Sequence, residues 1–395
     1  MRPQHHFTAP RGWINDPYGV VHHDGRYHLF FQYVPEHTTW QFGVHWGHAT
    51  SDDLVHWEYE GIALAPEGDE GCWSGTIVQV AGEPATMLYT SVFPADPAAG
   101  AVGVAHPVDD EWSAWRKGAV LIDVPEGVSV TAFRDPFVFR DDAGWHLLMG
   151  AGFTDDTAAI LVFDSADLTT WSYGGVFASR HLTDVEPMPM GSIWECPQLI
   201  EVDGRWVLVF SAMEPYHQLF EAYAIGDLVD GRFTPEHWGR LTYGPGYYAG
   251  SAFADADGQP CMVHWIREVN DPEGQWSGAL SITHRLRIVD DVLTLEPHPG
   301  AEQAGVDVVA LRSWARQTVF AIGANGRAVP VGIEIVNEPG VITVIAGGER
   351  WQLPSSSGEV TMVLDSLVCE LFTDRGALAF AVPVDAPAAQ TATPA

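Results

Sequence analysis

At 395 residues the chain is long enough to bury a large core and to divide into more than one domain. Its formal charge of −33, from 52 acidic against 19 basic side chains, argues against a nucleic-acid partner, whose phosphates it would repel. No run of about 18 apolar residues exists, so no membrane partner is expected.

Near the start, Trp13-Ile14-Asn15-Asp16-Pro17-Tyr18-Gly19 leads into a strand pattern, an Asp24-Gly25 turn and a second strand pattern from Tyr27 to Tyr33. This unit recurs. It returns at Trp73-Ser74-Gly75-Thr76, at Arg134-Asp135-Pro136-Phe137, at Glu195-Cys196-Pro197-Gln198 and at Ala249-Gly250-Ser251-Ala252. Each copy is a strand, a tight turn and a second strand, at a spacing of roughly 55–60 residues. The outer halves echo one another too: Ser51-Asp52-Asp53-Leu54 before Trp57 matches Ser165-Ala166-Asp167-Leu168 before Trp171, and Ile225-Gly226-Asp227-Leu228 is a weaker echo. Long helical periods are absent. The expectation is an all-β chain, with residues 1–297 forming a five-bladed β-propeller of about four strands per blade.

Beyond Pro297-His298-Pro299-Gly300, which reads as a linker, the strands shorten. Runs at Gln317–Ile322, Val331–Val336, Val341–Ala346, Val360–Leu364, Leu367–Thr373 and Leu378–Val382 predict a small C-terminal β-sandwich over residues 298–385. Residues 386–395 are Ala, Pro, Thr and Gln, a composition that predicts a disordered tail.

The four cysteines form no CxxC and suit a reducing compartment. With no apolar signal core in Met1-Arg2-Pro3-Gln4-His5-His6, a cytoplasmic protein is expected, unless a leader has been removed. The 16 tryptophans suit either stacking on sugar faces or packing between sheets.

The first strand of each propeller blade lines the central channel, so equivalent positions face one another across it. The repeat comparison puts Asp16, Asp135 and Glu195 at matching positions in blades one, three and four. Three carboxylates in one funnel repel, so one must hold a proton or a cation must offset them. Arg134 supplies one positive charge. A carboxylic acid beside a carboxylate is what glycoside cleavage needs: one protonates the leaving oxygen, the other attacks or activates water. The competing reading is that each acid merely caps a turn, as Asp-Pro and Asn-Asp do well. A metal site is a further alternative among 17 histidines, notably His22-His23, His45 and His48. The His22-His23 pair is read into a hairpin turn and no HExxH spacing appears, so packed or solvated histidine is expected.

These blocks resemble glycoside hydrolase family 32, the β-fructofuranosidases (invertases, inulinases, levanases). Trp13–Gly19 resembles the family's WMNDPNG block, Phe31-Gln32-Tyr33 with Pro35 its FYQYNP block, and Trp46-Gly47-His48-Ala49-Thr50-Ser51 with Asp53–Trp57 its WGHATSxDLVHW block. Trp73–Thr76, Phe133–Pro136 and Trp194–Pro197 are similar to WSGS, FRDP and WECP. Leu364-Asp365-Ser366 and Glu370-Leu371-Phe372 resemble the sandwich signature.

The resemblance implies that Asp16 is the nucleophile at the anomeric C2 of a fructosyl saccharide. It implies that Glu195 is the acid/base and that Asp135 stabilises the transition state, binding fructose hydroxyls with Arg134. Asn15, Gln32, Trp40, Trp73, Ser74 and Trp265 would line the pocket, and Cys196 would tune the acid. Configuration would be retained, with the Asp16 and Glu195 carboxyls about 5–5.5 Å apart. No metal or cofactor is implied. The implied activity is release of fructose from sucrose or short β-fructans. Alternatives are fructosyl transfer on the same scaffold, an inverting arabinan- or xylan-cleaving propeller, or a non-catalytic sugar-binding protein. Tyr18 replaces the family's usual Asn and is expected to narrow or re-aim the pocket entrance. Gly246 stands where an acidic residue is expected.

Overall fold

The computed structural model describes residues 2–215, 217–312, 315–322 and 328–383. Among them the backbone is dominated by antiparallel strands, and the only helix is the four-residue turn Gly300–Gln303. Five strands, Gly12–His23, Gly71–Val78, Val130–Asp141, Ile193–Val202 and Tyr247–Ala254, neighbour one another in a closed ring. From each, antiparallel partners step outward, which makes the five blades of a propeller. The innermost hairpins turn where the repeats predict. Asp24 and Gly25 take φ of 48° and 85°, and Asp203 and Gly204 take 48° and 78°. Left-handed conformation at both central residues is what a tight hairpin turn requires.

The matched outer segments fold alike. Ser51 Oγ accepts the N–H groups of Asp53 and Leu54, and Asp53 accepts those of Val55 and His56. Ser165 and Asp167 repeat this with Asp167, Leu168, Thr169 and Thr170. The weaker echo at 225–228 does not follow: that strand runs on to Val229 and turns at Asp230-Gly231.

Blade five is irregular. Its third strand is split into Trp276–Leu280 and His284–Val289, and Trp276 and Ser277 pair in parallel with Gly12 and Trp13. The pairing joins the last blade to the first and closes the ring. Between blades the seams are apolar. Phe139, Trp194, Phe210 and Phe233 fill the seam of blades three and four, and Phe30, Trp46, Trp112 and Trp115 that of blades one and two. Several tryptophans are therefore packing residues.

The sandwich has a four-stranded and a five-stranded sheet. Two of its strands, Val308–Leu311 and Glu349–Pro354, were not expected from sequence; both are sheet edges. One edge of the larger sheet is Thr242–Tyr243, from the connection between blades four and five, which pairs in parallel with Gly376–Ala381. A buried ionic cluster also spans the two units. His6 Nδ1 meets Asp365 at 3.0 Å and its Nε2 meets Glu370 at 2.5 Å, while His284 and the Tyr247 hydroxyl contact the other Glu370 oxygen. The expected turn at 323–326 and the expected disordered tail lie outside the described residues.

Candidate active site

All five inner strands break register with their partners at one level: between Ile14 and Pro17, Trp73 and Gly75, Glu195 and Gln198, and Tyr248 and Ser251, and beside Arg134 in blade three. A bulge re-aims side chains that the ladder would fix. Asp135, Cys196 and Ala249 take the left-handed conformation there, with φ of 66°, 47° and 48°. Each frees a backbone N–H from the ladder, and the preceding blade supplies an acceptor. Asp135 donates to Thr90 Oγ1 at 2.8 Å, Cys196 to Asp135 Oδ2 at 3.0 Å, and Ala249 to Ser211 Oγ at 3.2 Å.

This geometry corrects the repeat comparison. Asp135 matches Cys196, not Glu195: both precede proline and both have positive φ. Glu195 matches Arg134, one position earlier. The three acids still converge, because the bulges turn both positions toward the funnel. The Cys196 thiol lies between the aspartates, 4.0 Å from Asp16 Oδ2 and 3.7 Å from Asp135 Oδ2.

Asp16 collects three donors. Asn15 Nδ2 donates to Oδ1 at 2.9 Å, and Ser74 Oγ and Gln32 Nε2 donate to Oδ2 at 2.8 and 3.2 Å. Asn15 also donates to Gln32 Oε1 at 3.1 Å, and Trp13 Nε1 donates to Asn15 Oδ1 at 3.0 Å. The result is a fixed carboxylate on a shaped floor. Glu195 is held by two donors: Arg134 Nε to Oε1 at 2.9 Å and the Tyr248 hydroxyl to Oε2 at 2.5 Å. Arg134 thus faces the acid of the next blade, with its guanidinium 5.8 Å from the centre of the Trp73 ring.

Burial raises the Asp16 carboxyl to about 6, with repulsion from Glu195 adding to it and the Ser74 and Asn15 donors opposing it. Burial also raises Asp135, against the pull of Arg134 and with repulsion from Glu195 and Asp16. Burial and the same acids push the Cys196 thiol well up, so it stays a neutral S–H and is no nucleophile.

The other expected residues divide. Trp73 lies beside Arg134, and Trp265 is buried edge-on to Trp13 at 5.5 Å. Trp40 stands outside this hydrogen-bond network, 46% exposed and edge-on to Trp73 at 6.1 Å. Tyr18 does not narrow the entrance. Its ring is buried against Trp46 at 4.1 Å in the seam of blades one and two. A cavity of 360 Å³ reaches from Ser74, Asp135 and Cys196 among Tyr18, Ile77, Phe137 and Phe253.

Tyr248 was not among the expected site residues. Its signal was its position: it precedes Ala249 in the fifth repeat, as Glu195 precedes Cys196 and Arg134 precedes Asp135. The histidines weighed and set aside as metal ligands sit in packing surroundings. His22 and His23 belong to a strand, not a turn, and His23 stacks on Trp112 at 4.3 Å. His48 stacks on Phe30 at 4.6 Å. Asp255, Cys261 and His298 do cluster at metal-ligand spacing. There His298 Nδ1 accepts Gly300 N–H and its Nε2 meets Asp255, while Asp255 accepts the N–H groups of Asp257 and Gln259, which accounts for the cluster as a capped turn.

The profile of the glycosyl hydrolases family 32 N-terminal domain matches residues 6–298. The chain belongs to glycoside hydrolase family 32. Among curated relatives, the sucrose-6-phosphate hydrolase of Escherichia coli is 29% identical over 84% of this chain and 72% of that protein. The sucrose-6-phosphate hydrolase of Pediococcus pentosaceus is 32% identical over 81% of this chain and 64% of that protein. The chain therefore spans about two thirds of the length of these relatives. Among solved structures, the family 32 β-fructofuranosidase of Bombyx mori in complex with sucrose superposes with a TM-score of 0.81 at 24% identity. That match covers 96% of this chain and 89% of the silkworm chain, and it supports the propeller-plus-sandwich fold.

Proposed function

We propose that this family 32 chain is a retaining β-fructofuranosidase that releases fructose from sucrose or short β-fructans. The carrying observation is that Asp16 and Glu195 meet in one buried site, close enough to repel, each held by its own donors. Asp16 receives three neutral donors, which favour its charged form and aim it. Glu195 receives Arg134 and the hydroxyl of Tyr248. In the first step Asp16 attacks the anomeric C2, the bond from C2 to the leaving oxygen breaks, and Glu195 gives that oxygen its proton. In the second, Glu195 takes a proton from water, water attacks C2, and Asp16 leaves. Asp135 is assigned to the fructose hydroxyls and Arg134 to orienting Glu195. The propeller, residues 1–297, carries this chemistry, and the sandwich, residues 298–385, supports it. Four unpaired cysteines suit a reducing, cytoplasmic setting.

A release assay across sucrose, sucrose 6-phosphate, kestose, inulin and levan tests the reading, with NMR following the first anomer formed. Free fructose with retained configuration is expected. Inverted product would favour the arabinan- or xylan-type mechanism, and dominant oligosaccharide products at high sucrose would favour fructosyl transfer.

A further inference from the structure

Blade four buries a carboxylate that the reaction above does not use. Glu221 lies on the strand His217–Val229, 1% exposed, and no described cation pairs with it. Burying an acid without an ionic partner is costly, so its hydrogen bonds need an explanation. They all lead to one place. The Glu221 Oε1 atom accepts the Ser211 hydroxyl at 2.5 Å and the Gly250 N–H at 2.8 Å. Ser211 Oγ in turn accepts the Ala249 N–H. The Glu221 N–H is itself tied to Thr242 Oγ1 at 3.0 Å.

Two consecutive N–H groups, those of Ala249 and Gly250, are thus held from across the blade seam. They belong to the bulge of blade five, where Ala249 has φ of 48°. Space there is fixed as well: a Cβ on Gly250 would lie 2.2 Å from Met262 Cε and 2.9 Å from the ring of His264. The residue immediately before this bulge is Tyr248, whose hydroxyl holds Glu195. The bulges of blades three and four also take an acceptor from the preceding blade, the Thr90 hydroxyl for Asp135 and the Asp135 carboxyl for Cys196.

We infer that Glu221 is a positioning residue for the catalytic acid: it anchors the bulge at Ala249-Gly250 and so aims the Tyr248 hydroxyl at Glu195. The inference rests on Glu195 being the acid/base. Burial raises the Glu221 carboxyl to about 7, with the Ser211 and Gly250 donors opposing and repulsion from Asp16 and Glu195 adding. The other groups that face it are the Cys196 thiol, the Tyr248 hydroxyl, the Arg267 guanidinium and, beside Gly250, His264, which burial keeps neutral. In the alkaline range Glu221 is a buried anion near both catalytic carboxyls, so the pH profile of the reaction carries its charge.

Three variants test this. Glu221→Gln keeps the Oε1 acceptor and removes the charge. It should retain kcat within about threefold and move the alkaline limb of kcat/KM to lower pH. Glu221→Ala removes the anchor and should lower kcat by about tenfold or more with KM changed less than about threefold. Tyr248→Phe should lose at least as much, and the double variant Glu221→Ala/Tyr248→Phe should be no worse than Tyr248→Phe alone, the non-additivity of groups acting in series. Multiplicative losses in the double variant would overturn the inference. So would an unchanged kcat in Glu221→Ala, or an unmoved alkaline limb in Glu221→Gln. If Glu221→Ala fails to fold, the limb in Glu221→Gln decides. Glu195→Gln separates the two readings: wild-type turnover there sinks the assignment of the acid, whereas its loss beside a normal Glu221→Ala sinks the role of Glu221 alone.

Discussion

Arg134 donates from Nε to Oε1 of Glu195 at 2.9 Å, across the seam of blades three and four, with the two side chains only 11% and 15% exposed. The pair sets one carboxylate of the site apart from the others. Asp16 is held by an amide, a second amide and a hydroxyl, whereas Glu195 faces a permanent cation.

That difference makes Arg134→Lys informative. An ammonium keeps the charge but loses the planar fork and its place over the Trp73 ring. A misplaced acid of this kind costs about 10²-fold in kcat. Steady-state kinetics on sucrose, with thermal melting unchanged within a few degrees, would check it.

Asp16→Asn removes the attacking oxygen with little change in shape. Turnover should fall by at least about 10³-fold. Stability should not fall with it, because the variant removes one of several repelling buried carboxylates. A melting temperature equal to or above that of the parent at pH 7 is expected, and a clear drop would show that the carboxylate is structural.

Activity and stability should respond oppositely to acid. Asp16 titrates near 6 in the free protein, above its ordinary value near 3.9, so activity declines as pH falls through about 6. A carboxyl with a raised folded value binds its proton more tightly when folded. Its unfavourable contribution therefore grows as pH rises from about 4 to about 7. Asp135 and Glu221, raised by burial, act in the same direction. Melting followed from pH 8 to pH 5 should move upward while kcat/KM falls.

The His6 cluster gives a different window. His6 is raised to about 9 by its hydrogen bonds to Asp365 and Glu370, which outweigh its burial, so its contribution is complete below about 6.5 and is lost as pH rises through about 9. Asp365, lowered to about 2 by His6 and by backbone donors against its own burial, contributes fully above about 4 and is lost as pH falls through about 2. His6→Ala leaves Glu370 and Asp365 without one buried partner and should cost about 3–5 kcal/mol in chemical denaturation.

Much of the fold was legible because tight turns leave marks. Asp24-Gly25 and Asp203-Gly204 announced hairpins, and their spacing announced blades. The edge strands Val308–Leu311 and Glu349–Pro354 left little mark, since an edge needs no strict alternation. The site was half legible. Asp16, Asp135 and Glu195 stood out as acids in repeated blocks, but a bulge shifts register by one residue without changing composition. The match of Glu195 with Arg134 shows in the sequence only through the prolines that follow, Pro136 and Pro197. Tyr248 showed only as the residue before Ala249, and Glu221 left no mark: each acts by a contact with another blade, 53 residues from Glu195 in one case and 29 from Gly250 in the other.

The contact between His6 and Glu370 joins positions 364 residues apart. Trp276 and Ser277, which close the ring onto Gly12 and Trp13, lie between them in sequence. During synthesis the first blade therefore emerges long before either of its locks exists. Folding should then be slow and late to complete, because the pairings that seal the molecule are also those of greatest separation.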